Sequence, residues 1–483
     1  MSDFLPVDAF LDEFVPAVID GDAAIFAGAG LSRSCGFVDW KGLLKDFAKE
    51  LGLDLDIETD LVAVAQYHLN SQGRVRDRLN QKIATELSRA ATPGEAHISL
   101  ALIPIHTYWT SNYDCLIEQA LTDAHRPPAV RRARKSLTTT PRGKVCEVLK
   151  LHGDVSEPDG VVITKEDYEK YAHENEQLLT RLKNDLLSKS FLFIGFSFTD
   201  PNLELVLSQV RQMAGDNPRS HYAVFREPKK DEFSTPARYR YELNRWKLRL
   251  RDLGRYGVHP VIVNDYEELP ELLRQIRVRA ERRRILVSGS FSQEGPWARK
   301  RLEEFCQLLG QRIVAEGYDL ANGFGLGVGS PLIAGALEEL YRGTPQLLER
   351  RLLLRPFPQI ASGRLSREAL WRSYRRDLVS PVGFAVFIAG NKVDETGTVV
   401  SANGVRAEYE IARELGKYPL PIGATGWVAD ELWQEVLEDF DAIFPSGTSR
   451  RAFRALGSKK ASDASILDAL FSLINQLTPR GHS

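Results

Sequence analysis

Cysteine is scarce in this chain: four residues among 483, Cys35, Cys115, Cys146 and Cys306. No two stand in a Cys-x-x-Cys pair, which argues against a zinc ribbon and against a disulfide scaffold. No His, Asp or Glu cluster has metal-ligand spacing either, so no metal is expected. Net charge is nearly absent, 63 Lys and Arg against 65 Asp and Glu. Overall charge therefore gives no case for nucleic acid or an anionic membrane. No uninterrupted apolar run approaches the ~18 residues of a membrane span. The opening MSDFLPVDAFLDEF is acidic and lacks a signal-peptide pattern. Together these absences predict an intracellular, cytoplasmic protein.

What is present reads as globular: 43% hydrophobic and 27% charged residues, at a length that holds two or three domains. The organising stretch is Ala23 to Gly36, AAIFAGAGLSRSCG. An apolar run reads as a buried strand that enters Gly28-Ala29-Gly30-Leu31-Ser32, with a helix from about Trp40 onward. Glycines after a strand let backbone N–H groups approach a pyrophosphate; a simple tight turn is the competing reading. Asp39 is expected to cap the helix WKGLLKDFAKEL, and residues 60–91 read as further helix. A helical layer before the next strand follows.

Three later strands end in the same manner. His106 to Thr110 stops at Ser111-Asn112-Tyr113-Asp114, where Asp114 either meets a ligand or caps the following helix. VLKLHGD ends in His152, the side chain best suited to accept a proton near neutral pH, though a lone histidine there also serves structure alone. FLFIGFSFTDPN ends in a Gly-x-Ser turn with Asp200-Pro201-Asn202 behind it. Thr164 is expected to cap a long helix over 163–187. Such repetition is the signature of a doubly wound parallel α/β sheet with one ligand crevice.

GAGLS, TSNYD, LHGD and IGFSFTDPN, in this order and spacing, resemble the NAD-binding motifs of the sirtuin superfamily, and more specifically its bacterial sirtuin-like NADase branch. The resemblance covers about residues 1–275. It implies that Gly28, Ala29, Gly30 and Ser32 cradle the NAD phosphates and ribose. Asn112 would hold the nicotinamide ribose and an attacking water, Asp114 the carboxamide. His152 would act as general base, and Ser197 would face the adenosine half. Protein-deacetylating sirtuins carry a four-cysteine zinc module that this chain cannot build, and GFVDW follows the glycine turn in place of their Pro-Asp-Phe-Arg pattern. Both departures weaken acyl-lysine chemistry and leave NAD cleavage standing.

The segment ending RQIRVRAERRR (274–284) reads as a linker (276–283) or an interface helix rather than a nucleic-acid site. From Arg284 the same grammar restarts. ILVSGS ends in Gly289-Ser290. Gly323, Gly325, Gly327 and Gly329 alternate before a helix, and GFAVFIAGNK ends in Gly390-Asn391-Lys392. Residues 284–475 resemble the SLOG family, Rossmann-like domains that sense nucleotide-derived ligands, with a tail at 476–483. The glycine loop at a helix start is expected to cradle phosphate. Gly289, Ser290, Gly325, Gly327, Arg375 (chosen among Arg372, Arg375 and Arg376), Lys392 and Glu408 are the expected ligand contacts. An exposed arginine-rich helix is the competing reading of that cluster. A sirtuin-like domain followed by such a sensor resembles the effector NADases of Thoeris antiphage defence. The resemblance implies an NAD⁺ glycohydrolase that depletes NAD when a cyclic ADP-ribose isomer binds the sensor. The isomer would come from a TIR-domain partner, and the chain would act in a homotetramer or larger assembly. A non-catalytic nucleotide- or nucleic-acid-binding protein is the alternative.

Overall fold

The computed structural model describes residues 4–37, 40–87, 91–132, 146–198, 200–215, 217–343, 348–357, 366–394 and 396–478. Asp39 and the last five residues of the expected tail lie outside them. The chain divides into two compact units, Met1–Arg277 and Val278–Ser483. Each is built on its own parallel sheet, so the protein is α/β with two Rossmann-like doubly wound domains.

The first sheet contains β1 (Ala23–Ala27), β2 (Thr107–Thr110), β3 (Pro128–Arg131), β4 (Cys146–Lys150), β5 (Ser190–Ile194), β6 (His221–Arg226) and β7 (Val258–Val263). Their order across the sheet is β3-β4-β2-β1-β5-β6-β7. β1 pairs in parallel with β2 on one side and β5 on the other. Strand order reverses between β1 and β5, and the loops leaving their carboxyl ends bound the crevice where such sheets bind ligands. β1, β2 and β5 are buried along their whole length, as strands covered on both faces must be. Between β1 and β2 the chain inserts helices Trp40–Glu50, Leu61–Ser71, Asp77–Leu87 and Glu95–Ala101. Leu43, Leu44, Phe47, Val64, Leu79 and Ile83 close a separate small core over Tyr113 and Leu116. The expected helical layer is therefore present.

The second sheet holds β8 (Arg284–Ser290), β9 (Asp319–Asn322), β10 (Leu352–Leu354) and β11 (Phe384–Ala389). A hairpin follows, β12 (Asn391–Val393) with β13 (Val399–Ser401), and then β14 (Tyr418–Pro421). Sheet order is β10-β9-β8-β11-β14, so the reversal falls between β8 and β11. Helices Arg299–Ala315 and Gly329–Arg342 pack against each other so closely that a Cβ at Gly310 would lie 2.0 Å from the Leu332 carbonyl oxygen.

Some local expectations change. A short helix, Ala29–Arg33, starts directly at the glycine turn rather than only at Trp40. Thr164 caps its helix through a capping box with Asp167, but the helix ends at Glu174 and a new one runs Glu176–Ser188. The basic stretch before Arg284 belongs to the helix Leu269–Glu281.

Candidate functional site

The carboxyl ends of β1, β2, β4 and β5 open into a cavity of about 820 Å³. Ala29, Gly30, Ser32, Asn112, Asp114, His152 and Ser197 all line it, so residues as far apart in sequence as Ala29 and Ser197 meet at one crevice. Gly28 stands just behind. The glycines have a packing reason as well as an expected phosphate role. A Cβ on Gly28 would lie 2.5 Å from the Gly195 oxygen, and one on Gly30 would lie 2.8 Å from the Gly195 Cα. Gly195 itself has φ +64, and its Cβ would fall 2.3 Å from the Leu31 nitrogen. The turns after β1 and β5 thus touch backbone to backbone, tied by Gly28 N–H to the Ile194 oxygen and Gly30 N–H to the Gly195 oxygen, both 2.9 Å.

Asn112 is held from several sides. Its N–H donates to Thr110 Oγ1 (3.0 Å), and that hydroxyl donates to the Ala27 oxygen (3.0 Å). Its Nδ2 donates to the Gly28 oxygen (3.1 Å) and Ser32 Oγ (3.0 Å). Both amide hydrogens are therefore committed, while Oδ1 is buried without a hydrogen-bond partner. A buried acceptor left open at a cavity wall fits a hydroxyl or water as its missing donor. Asp114 Oδ1 accepts from Leu116 N–H (3.1 Å) at the start of the next helix, whose N-cap residue is Cys115, and Asp114 also lines the cavity.

His152 is 2% exposed. Its Nε2 lies 3.1 Å from Asp200 Oδ2. Tyr168 donates to the same oxygen at 3.1 Å, while Asp200 Oδ1 accepts from Leu203 N–H at 2.9 Å and caps the helix Pro201–Ala214. Burial opposes ionisation of Asp200, yet His152 and these donors hold its carboxyl below the usual range. Motif reading gave Asp200 no role. The available signal was Asp-Pro at a helix start, and it reports only the cap.

Beneath the Asn112 loop lies Lys150, wholly buried. Its ammonium is 2.7 Å from Asp154 and 3.2 Å from Glu118, and it donates to the Tyr113 and Asp114 carbonyls. Burial disfavours that charge, but the two carboxylates hold the lysine above its usual value. Cys115, Glu118 and Asp154 place donor atoms within 4.8 Å of one another. Lys150 and Arg132, the latter 3.2 Å from Asp154, already supply positive charge there.

In the second unit the glycine loop packs onto β8. A Cβ on Gly325 would lie 1.8 Å from the Gly289 oxygen, and one on Gly327 (φ +72) would lie 2.5 Å from the Phe291 oxygen. Close backbone approach thus accounts for these glycines, whatever ligand the crevice takes. Arg375 is not on an exposed arginine face: its guanidinium lies over Phe357 and Trp371, at 5.1 and 5.4 Å from the ring centres. Arg375 Nε stands 3.8 Å from Glu408 Oε1, too far for a hydrogen bond. Burial raises the Glu408 pKa against the pull of Ser288 and Arg375, and burial lowers that of Arg375. Arg375 Nε is thus left buried without a hydrogen-bond partner. Ser290 Oγ donates to the Asn391 oxygen at 2.7 Å, joining the end of β8 to the start of β12. Lys392 follows Asn391 on the hairpin and is exposed.

Comparison with known proteins agrees with this two-part layout. Residues 106–250 match the SIR2-like domain family, and residues 268–477 match the Sir2- and TIR-associating SLOG family. The NAD(+) hydrolase ThsA of Bacillus cereus (strain MSX-D12) is 39% identical, covering 98% of each chain. The protein of the same name from Cytobacillus dafuensis is 40% identical over 97% of this chain and 96% of its own. Defense-associated sirtuin 2 of Bacillus subtilis is 23% identical over 47% of this chain and 23% of its own length. Near-complete coverage at this identity places the chain in the ThsA family of NAD(+) hydrolases.

Proposed function

We propose that the chain cleaves NAD⁺ to nicotinamide and ADP-ribose in the cavity of its first unit. The observation that carries this reading is the unpartnered Asn112 Oδ1, buried in the wall of the cavity that His152 also lines. In the reaction the bond from ribose C1′ to the pyridinium nitrogen breaks, and nicotinamide leaves with the electron pair as a neutral molecule. The oxygen of water bonds to C1′ of the oxocarbenium-like centre, and His152 takes its proton. Asn112 Oδ1 orients the water and ribose hydroxyl. Asp114 meets the carboxamide, and Gly28, Ala29, Gly30 and Ser32 hold the phosphates and ribose. Ser197 faces the adenosine half. No metal is required, since the leaving group departs without a Lewis acid.

The second unit is the sensor in this reading. Gly289, Ser290, Gly325, Gly327, Arg375, Lys392 and Glu408 would bind a cyclic ADP-ribose isomer. Arg375 would turn toward phosphate and Glu408 toward ribose hydroxyls. The imperfect Arg375–Glu408 pair supports this, because a bound ligand relieves the burial cost of both groups. Gating requires two arrangements of the first unit with different affinities for the signal-bound sensor. Depletion of NAD in antiviral defence, with a TIR-domain synthase as partner and a homotetrameric or larger assembly, completes the proposal. Among the described residues no helix is long and apolar enough to cross a membrane. Nicotinamide release by purified protein and by Asn112→Ala tests the site: release by the former and loss above about 100-fold in the latter is expected. Equal rates would overturn the assignment.

A further inference from the structure

We infer that Asp200 is the positioning residue for His152, fixing which imidazole nitrogen is free to accept a proton. The inference rests on His152 being the base, as proposed above. The geometry is specific. Asp200 Oδ2 lies 3.1 Å from His152 Nε2 and accepts from Tyr168 at 3.1 Å. Its Oδ1 is held by the Leu203 N–H at 2.9 Å. The carboxylate therefore cannot rotate away without giving up the cap of the helix Pro201–Ala214, and its second oxygen stays beside the imidazole. The contact is an ion-pair approach and not an aligned hydrogen bond, since His152 Nε2 has no hydrogen-bond partner. A carboxylate oxygen this close still repels a lone pair on Nε2, so the hydrogen is favoured there and the lone pair on Nδ1. The tyrosines at the ring, Tyr168 and Tyr171, have their centres 5.6 and 6.1 Å away. Tyr171 spends its hydroxyl on the Leu151 oxygen, and Tyr168 on Asp200. As the imidazole takes a proton during water attack, the positive charge develops beside a buried negative one. Buried carboxylate–imidazole pairs assist proton transfer in this way, and replacing the carboxylate by an amide reverses the tautomer.

Two variants separate this role from the cap. Asparagine and serine are both good helix N-caps, comparable to aspartate. In Asp200→Asn, the Leu203 N–H retains Oδ1, so Nδ2 faces His152 and donates to Nε2; the proton then sits on Nδ1 and the base is lost. In Asp200→Ser, the cap persists but nothing reaches the ring, which keeps both tautomers. Nicotinamide release should fall at least about 100-fold in kcat for Asp200→Asn and only about ten-fold for Asp200→Ser, with KM within about two-fold for both. Thermal melting of both variants reports whether the cap has held. The assay uses the full chain with whichever cyclic ADP-ribose isomer supports the highest rate, and His152→Ala is run in parallel. An Asn variant as active as the Ser variant, or a KM rise at unchanged kcat, overturns the inference and leaves Asp200 with its cap alone. Full activity in His152→Ala instead overturns the underlying reading of the base.

Discussion

Removing the buried ammonium of Lys150 is the perturbation whose cost the structure lets one work out most fully. Lys150→Met keeps the side-chain bulk and deletes the charge. Three things are lost at once: the 2.7 Å pair to Asp154, the 3.2 Å pair to Glu118, and the donors that hold the Tyr113 and Asp114 carbonyls. The side chain of Asp154 is 0% exposed and that of Glu118 12% exposed, so water cannot take over. Breaking one partner of a buried pair costs about 3–5 kcal/mol. Arg132, 3.2 Å from Asp154, offsets part of that and places the expectation near the lower end. For a unit of this size each kcal/mol moves the midpoint by about 2–4 °C, so a fall of about 6–12 °C in the melting transition is expected. Calorimetry measures it, and nicotinamide release falls as well, because the loop carrying Asn112 loses its support. Adding Glu118→Gln and Asp154→Asn to the Met variant should restore part of the stability, since no buried charge is then unpaired. A shift under 2 °C, or no recovery in the triple variant, refutes the reasoning.

Gly195→Ala should be costly for a different reason: its φ is +64 and the new Cβ would lie 2.3 Å from the Leu31 nitrogen. Strain at positive φ adds about 1–2 kcal/mol to the backbone clash, so denaturant midpoint and activity should fall together. Arg375→Lys keeps charge but loses the planar fork, so the isomer concentration giving half-maximal cleavage should rise at least ten-fold without change in unstimulated turnover. A titration of nicotinamide release against isomer reads it. Stability should also depend on pH through Asp167 and Asp200, whose carboxyls, against the opposing effect of burial, are held below the usual aspartate range in the fold by the Arg76 and backbone N–H donors and by His152 and its neighbouring donors, respectively. Their contribution is complete above the unfolded value and is lost as pH falls through the folded one. Melting temperature should therefore be flat near neutrality and drop below about pH 4, and Asp167→Asn should flatten that acid limb.

Strand ends and glycine turns were legible because a buried parallel strand is a short, almost purely apolar run with punctuation behind it. β1, β5 and β8 all read that way, and β2 reads as a run rich in β-forming residues. β3, β6 and β10 did not: Pro128-Ala129-Val130-Arg131 and Leu352-Leu353-Leu354 are too brief to separate from loop or helix, and His221 interrupts the apolar start of β6. Within the site, Asn112, Asp114 and His152 were found because each follows a strand. Asp200 was passed over because Asp-Pro is a complete local explanation of itself. Only the fold shows that its second oxygen reaches His152, 48 residues earlier in the chain. Lys150 was invisible for a similar reason, since a lysine inside an apolar strand declares its partners only when Glu118 is folded against it. The glycine loops were noticed for the expected ligand; their packing partners, Gly195 for Gly30 across the strand-order reversal and Gly289 for Gly325 between the neighbouring β8 and β9, became apparent only in the fold.

The most direct test of the central claim is nicotinamide release from NAD⁺ by the purified chain, with and without cyclic ADP-ribose isomers, beside Asn112→Ala. The account predicts cleavage that rises sharply with one isomer and is lost in the Asn112 variant under every condition. Cleavage unaffected by any isomer would contradict the gating. Cleavage that persists in Asn112→Ala would contradict the site itself.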